Sequence, residues 1–174
     1  MLMVYSKSYS QRNMNRSQQL KNEIAEMFKA TNGDFALAFQ DLSDAKNRLL
    51  INEREEFHAA STMKTPVMIE IFRQAGQGKF AMEDSIEVHN SFTSIVDGST
   101  YHMDPEVDSQ DSLYNLIGKK STYYDLTFEM ITRSSNLATN ILIEKVGAEN
   151  VMRSMKELGA GHIQVLRGVE DLKA

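Results

Sequence analysis

Cysteine is missing from all 174 residues, which excludes disulfides, thiolate metal sites and cysteine nucleophiles. No apolar run is long enough to cross a bilayer. The polar start, with Lys7, Arg12 and Arg16, lacks the apolar stretch of a signal peptide. Two expectations for location follow: cytoplasmic, or periplasmic or secreted if an export signal has been removed. Basic residues are also in deficit, 19 against 24 acidic ones for a net charge of −5. That balance argues against a general polyanion binder, so no nucleic-acid partner is expected and small molecules or proteins remain. The four histidines, His58, His89, His102 and His162, have no close metal-ligand spacing. No metal and no cofactor is therefore expected.

What is present suffices for one core: 41% of the residues are apolar, and a chain of this length favours a single domain. Residues 1–16, rich in Ser, Asn, Gln and Arg, read as a flexible tail or frayed helix start, with the domain running over 17–174. Ser17 can cap a helix whose apolar positions are Leu20, Ile24, Met27 and Phe28, ending near Asn32 and Gly33. Asp34 to Asp41 reads as a strand apolar on both sides of the pleat, with Leu49, Leu50 and Ile51 as its hairpin partner. A hairpin alone is too small a sheet to be stable, so the pattern implies further strands as partners.

The spacing of Met63, Val67, Met68, Ile71 and Phe72 predicts a helix from Ser61 to Gln74. Residues 85–121 read as a long irregular excursion with turns at Asp97-Gly98 and Asp104-Pro105. Three helices follow, from Thr122 to Thr132, then to Val146, then from Glu149 to Leu158, with Gly147 and Gly159 as stops.

Chemistry concentrates at the start of the Ser61 helix. Ser-X-X-Lys puts a hydroxyl and an amine about one turn apart, so Lys64 can lie over Ser61 and take its proton. A chain of this composition holds such a pair about once by accident, and it holds a second, Ser43 and Lys46. That second pair sits in a polar turn, whereas Ser61 opens an apolar helix and follows Ala59 and Ala60, which leave room for a substrate. Thr132 to Asn140 forms a polar cluster between two apolar runs, and its Ser134-Ser135-Asn136 also suits a helix cap.

Ser61-Thr62-Met63-Lys64 followed by Ser134-Ser135-Asn136 resembles the first two motifs of the penicillin-recognising serine hydrolases, the class A β-lactamase type, with Ser135 where Asp is usual. The resemblance runs from about Asp34 to Leu172. It implies an α/β (α+β) fold of the β-lactamase and transpeptidase type, a helical lobe plus part of an antiparallel sheet. It further implies Ser61 as the acyl-accepting nucleophile and Lys64 as base or relay. Ser134 would be proton donor to the leaving nitrogen, and Asn136 would bind the substrate's amide side chain.

Arg167 and Leu172 resemble the anchors of the family's Ω-loop. That anchoring puts Val169 where the deacylating Glu is expected and Glu170, the remaining candidate catalytic base, one residue late. Lys173 stands where the family has Asn. No Lys-Thr-Gly occurs in the sequence, and with that strand goes one of two oxyanion amides, leaving the amide of Ser61. The substrate implied is a β-lactam or a peptidoglycan-like peptide. The alternative is a catalytically incomplete fragment or a D-alanyl-D-alanine peptidase-like penicillin binder. An incomplete sheet also predicts self-association through its uncovered strands.

Overall fold

Asn136 to Val146 carries apolar residues on nearly every side, and such a helix is stable only when surrounded by other elements. The computed structural model bears this out; it describes the backbone of residues 2–173 and the side chains of residues 16–173. Two compact units result, Met1–His58 and Ala59–Ala174.

In the first unit, helix α1 (Leu2–Ala30) is followed by strands β1 (Leu37–Gln40) and β2 (Arg48–Ile51). The strands pair antiparallel with Leu37 opposite Ile51 and Gln40 opposite Arg48, the hairpin expected from the sequence. Phe28 of α1 stacks on Phe35, ring centroids 5.0 Å apart. Two expectations change here. Ser17 does not cap a helix, because α1 is already running through that position. The backbone of residues 2–16 is part of α1, while the side chains of 1–15 lie outside the described residues. β1 is not covered on both faces either: Ala38, Phe39 and Gln40 are exposed.

The second unit holds the core. Helix α2 (Lys64–Gly76), preceded by a 3-10 turn over Ala60–Met63, packs with α3 (Tyr123–Thr132), α4 (Asn136–Val146) and α5 (Ala148–Glu157). Leu137, Ala138, Ile141 and Leu142 of α4 are completely buried, as are Val67 and Ile71 of α2. Thr122 caps α3, accepting from the Asp125 amide at 2.9 Å. Gly147 ends α4 at φ +80°, a conformation that favours glycine.

The stretch read as irregular is more ordered than its composition suggests. It contains β3 (Ser85–Glu87), β4 (Phe92–Thr93), β5 (Thr100–Tyr101) and a 3-10 turn over Ser112–Leu116, and β6 (Lys120–Thr122) closes it. β3 pairs antiparallel with β6, and β4 with β5. Strands of two or three residues are too short to show a period of two, which is why they escape sequence reading. No described helix is long and apolar enough to cross a membrane.

Candidate active site

Ser61 lies in the 3-10 turn that leads into α2, not in the α-helix itself, and its side chain is exposed. Lys64, the first residue of α2, is only 3% exposed. Its Nζ donates to Ser134 Oγ at 3.0 Å, to the Ser134 carbonyl at 2.5 Å and to Asn136 Oδ1 at 2.8 Å. Ser134 Oγ in turn lies 3.0 Å from Ser61 Oγ. The two motifs seen in the sequence therefore meet, and the link from Lys64 to Ser61 runs through Ser134.

Three of the four non-glycine residues with positive φ among those described are Ala60 at +44°, Ser134 at +58° and Glu170 at +61°. Ala60 precedes Ser61, and the other two are among the candidate site residues. Backbone held in this region costs about 1–3 kcal/mol per residue and persists only where its surroundings over-determine it. Around Ser134 those surroundings are visible. Ser135 caps α4 by accepting from the Ala138 amide at 3.2 Å. Asp108, from the loop before the second 3-10 turn, accepts from the Asn136 amide at 2.9 Å and the Leu137 amide at 2.8 Å. The first three amides of α4, which lack partners within the helix, are thus all satisfied by two side chains.

Glu170 joins the same cluster. Its Oε1 accepts from Asn136 Nδ2 at 2.9 Å, so the structure brings Glu170, and not Val169, to Asn136. Val169 packs against the core. Its backbone is clasped by the buried Asn140, whose Oδ1 accepts from the Val169 amide at 2.6 Å and whose Nδ2 donates to the Val169 carbonyl at 3.0 Å. Asp171, also buried, accepts from the Ile95 amide at 3.1 Å, and Lys173 Nζ reaches Asp97 and Ser99, both at 2.7 Å. Burial acts to raise the Asp171 carboxyl, but the hydrogen bonds it receives, first from the Ile95 amide, together with the charge of Arg167, hold it below the ordinary value; Arg167 itself donates to the Gly168 carbonyl. The segment 167–173 is therefore pinned on both sides of Glu170.

Burial pushes the Lys64 ammonium below the ordinary lysine value, opposed by the negative charges of Asp108 and Glu170. Burial and the adjacent Asp108 push Tyr114 up; its hydroxyl donates to Asp108 Oδ2 at 3.0 Å. A buried lysine that releases its proton more readily than usual, joined to a serine pair, can accept a proton from an attacking hydroxyl. The described residues include no cluster of His, Asp and Glu that could hold a metal ion. His89 instead pairs with Glu144 at 2.9 Å.

Ser43 has a different setting: its hydroxyl and amide both bond Asp41 Oδ1, at 2.6 and 2.8 Å, in an exposed turn. Sequence reading missed Asp108 and Asn140. Asp108 was one of several acids in a turn-rich stretch, with nothing to distinguish it. Asn140 did carry a signal, an amide inside an apolar helix, because a buried amide must have partners.

Fold and site define a protein of the β-lactamase and transpeptidase class. The chain matches the family model described as "Beta-lactamase enzyme family" over residues 19–174. It belongs to that β-lactamase enzyme family. Among solved structures it is similar to a β-lactamase from Sphaerobacter thermophilus, with 26% identity, a TM-score of 0.68, and 86% of this chain and 52% of that one covered. A β-lactamase from Xanthomonas campestris matches at 16% identity and a TM-score of 0.75, over 91% of this chain and 54% of that one. A PBP-A variant solved as an acyl-enzyme with penicillin G matches at 20% identity and a TM-score of 0.70, over 90% and 55%. The last two likenesses are of fold alone. The chain spans about half the length of these structures. No curated protein matches it in sequence.

Proposed function

We propose that this chain carries the acylation centre of a β-lactam-hydrolysing serine enzyme. The observation that supports the reading is the path from Ser61 Oγ through Ser134 Oγ to Lys64 Nζ, 3.0 Å at each step. In this reading Ser61 Oγ attacks the carbonyl carbon of the lactam amide while its proton passes, by way of Ser134, to neutral Lys64. The carbon–nitrogen bond then breaks, Ser134 returns a proton to the leaving nitrogen, and an ester remains on Ser61. Glu170 takes a proton from the water that hydrolyses this ester.

Asn136 receives the substrate's amide side chain. Both ends of its own amide are engaged, by Lys64 and by Glu170, so a bound substrate competes with one of these partners. The PBP-A acyl-enzyme with penicillin G is the comparison that favours a β-lactam as acylating agent. Self-association through the β1–β2 hairpin is part of the same proposal, supported by the exposure of Ala38, Phe39 and Gln40 in β1.

Incubation with benzylpenicillin followed by peptide mass spectrometry tests the reading. A penicilloyl adduct is expected on Ser61 and none on Ser61→Ala. An adduct on Ser43, or one that persists in S61A, overturns it. The lifetime of the adduct separates the hydrolase from a peptidase-like penicillin binder, in which the ester would persist.

A further inference from the structure

Ser134 presents a carbonyl and a hydroxyl to one lysine while its own backbone stands at φ +58°. A serine gains nothing intrinsic from that conformation, so something must hold the turn in place. Lys64 bonds the turn but is not a sufficient anchor, because its role in catalysis requires it to change charge. The Ser135 hydroxyl takes the Ala138 amide, one residue past Asn136 and Leu137, while its backbone ties the turn to the Glu129 carbonyl at 3.2 Å and to Thr139. The amides of Asn136 and Leu137 themselves go to a side chain from a separate loop, Asp108, whose two oxygens take them one each.

We propose that Asp108 is a positioning residue of this site, its carboxylate clamping the Ser134–Asn136 turn so that Ser134 Oγ and Asn136 Oδ1 face Lys64. The inference rests on the functional reading above for its catalytic meaning, but not for its geometry. Asp108 is itself fixed, buried to 9% exposure and bonded by Tyr114 and by the Gln110 amide. It is therefore an acceptor held on its own loop and offered to a helix of another element, 28 residues downstream of it in the case of Asn136. The charged groups acting on Lys64 are Asp108 and Glu170. Removing either leaves the burial of the ammonium less compensated, so its proton should be held less tightly.

Two readouts without any β-lactam test this, which keeps their failure distinct from failure of the acylation reading. The first is hydrogen exchange at the amides of Asn136 and Leu137. The second is the titration of Lys64 followed by carbon-13 NMR at Cε, assigned by its loss in Lys64→Arg. In Asp108→Asn, which preserves shape, both amides should exchange at least about tenfold faster, as expected for loss of a charge-assisted bond. Lys64 should bind its proton roughly three- to tenfold more weakly. Adding Ser135→Asp, a carboxylate at the cap of the same turn, should move the Lys64 titration back towards that of the unaltered protein.

Asp108→Glu keeps the charge but not the reach, so it should speed exchange and leave Lys64 nearly where it was; it serves alone if Asp108→Asn does not fold. Unchanged exchange in either variant overturns the clamp. Faster exchange in Asp108→Asn with an unmoved Lys64 titration reduces Asp108 to an ordinary helix cap and overturns it as well.

Discussion

Asn136 donates from Nδ2 to Glu170 Oε1 at 2.9 Å while its Oδ1 accepts from Lys64. One amide thus joins Lys64 to the carboxylate of the loop segment. Anchoring the loop on Arg167 and Leu172 puts Val169 at the expected position of the base and Glu170 one residue late. The backbone turn at Glu170, φ +61°, changes the expectation, since it directs Glu170 to Asn136 and leaves Val169 against the core.

Glu170→Gln should therefore separate the two half-reactions. Penicilloyl adduct should still form on Ser61, but its hydrolysis should slow by about a hundredfold to ten-thousandfold, the usual contribution of a general base. Pulse labelling with penicillin followed by mass spectrometry over time measures the decay. Equal lifetimes in E170Q and the unaltered chain would assign the water's base elsewhere.

The fold was legible where periodicity was long enough to read. α2 to α5 lie within a residue or two of their expected bounds except at the start of α2, where Ser61 sits in a tighter turn. The site was legible only as motifs. Ser61, Lys64, Ser134 and Asn136 could be named, but the sequence could not show that Lys64 and Ser61 meet through Ser134, because the Lys64–Ser134 contact spans 70 residues. Glu170 could not be chosen over Val169 by alignment, since a single left-handed residue shifts which side chain enters the site. Asp108 was hidden because acids in turns are common, and only the burial of its carboxylate distinguishes it.

The pH dependence of acylation follows from Lys64. Burial lowers its proton affinity despite Asp108 and Glu170, so neutral lysine is available below the ordinary value of about 10.4. Acylation by penicillin should rise with pH and reach half its maximum below that value. The stability effect has the same origin: the unfolded chain binds this proton more tightly, so unfolding free energy should rise with pH through the window just under about 10.4. Stopped-flow acylation and urea denaturation at a series of pH values check both. An acylation midpoint at or above that of free lysine would remove Lys64 as the base.

Gly168 should tolerate no side chain. A Cβ there would stand 2.6 Å from Asn140 Oδ1, 2.8 Å from Asn140 Cγ and 2.9 Å from the Tyr101 hydroxyl. Asn140 cannot yield without releasing both bonds to Val169. Gly168→Ala should cost about 1–3 kcal/mol, the range for overpacking. Asn140→Ala should cost a similar amount, about 1–3 kcal/mol, by leaving the Val169 backbone unpaired. Denaturant midpoints give the energies, and limited proteolysis should show faster cleavage within 165–173 in both variants. A Gly168→Ala protein as stable as the parent, with an unaltered loop, would mean that the clasp is looser than its distances.

Self-association should run through the β1–β2 hairpin. The two strands pair only with each other among the described residues, so each keeps an edge of unpaired amides and carbonyls. Edges of this kind invite pairing with another chain. The side chains add to the tendency: Phe39 is 51% exposed and Leu42, in the turn between the strands, 99%. A lysine on an edge strand is a common natural defence against such pairing, because two like charges would be brought together. Phe39→Lys should therefore lower the mean mass seen by light scattering at matched concentrations, while leaving the penicilloyl adduct on Ser61 unchanged, since Phe39 has no part in the proposed chemistry. A parent chain that stays monomeric over the whole concentration range, or an F39K variant that associates equally, would show that the hairpin is not the contact.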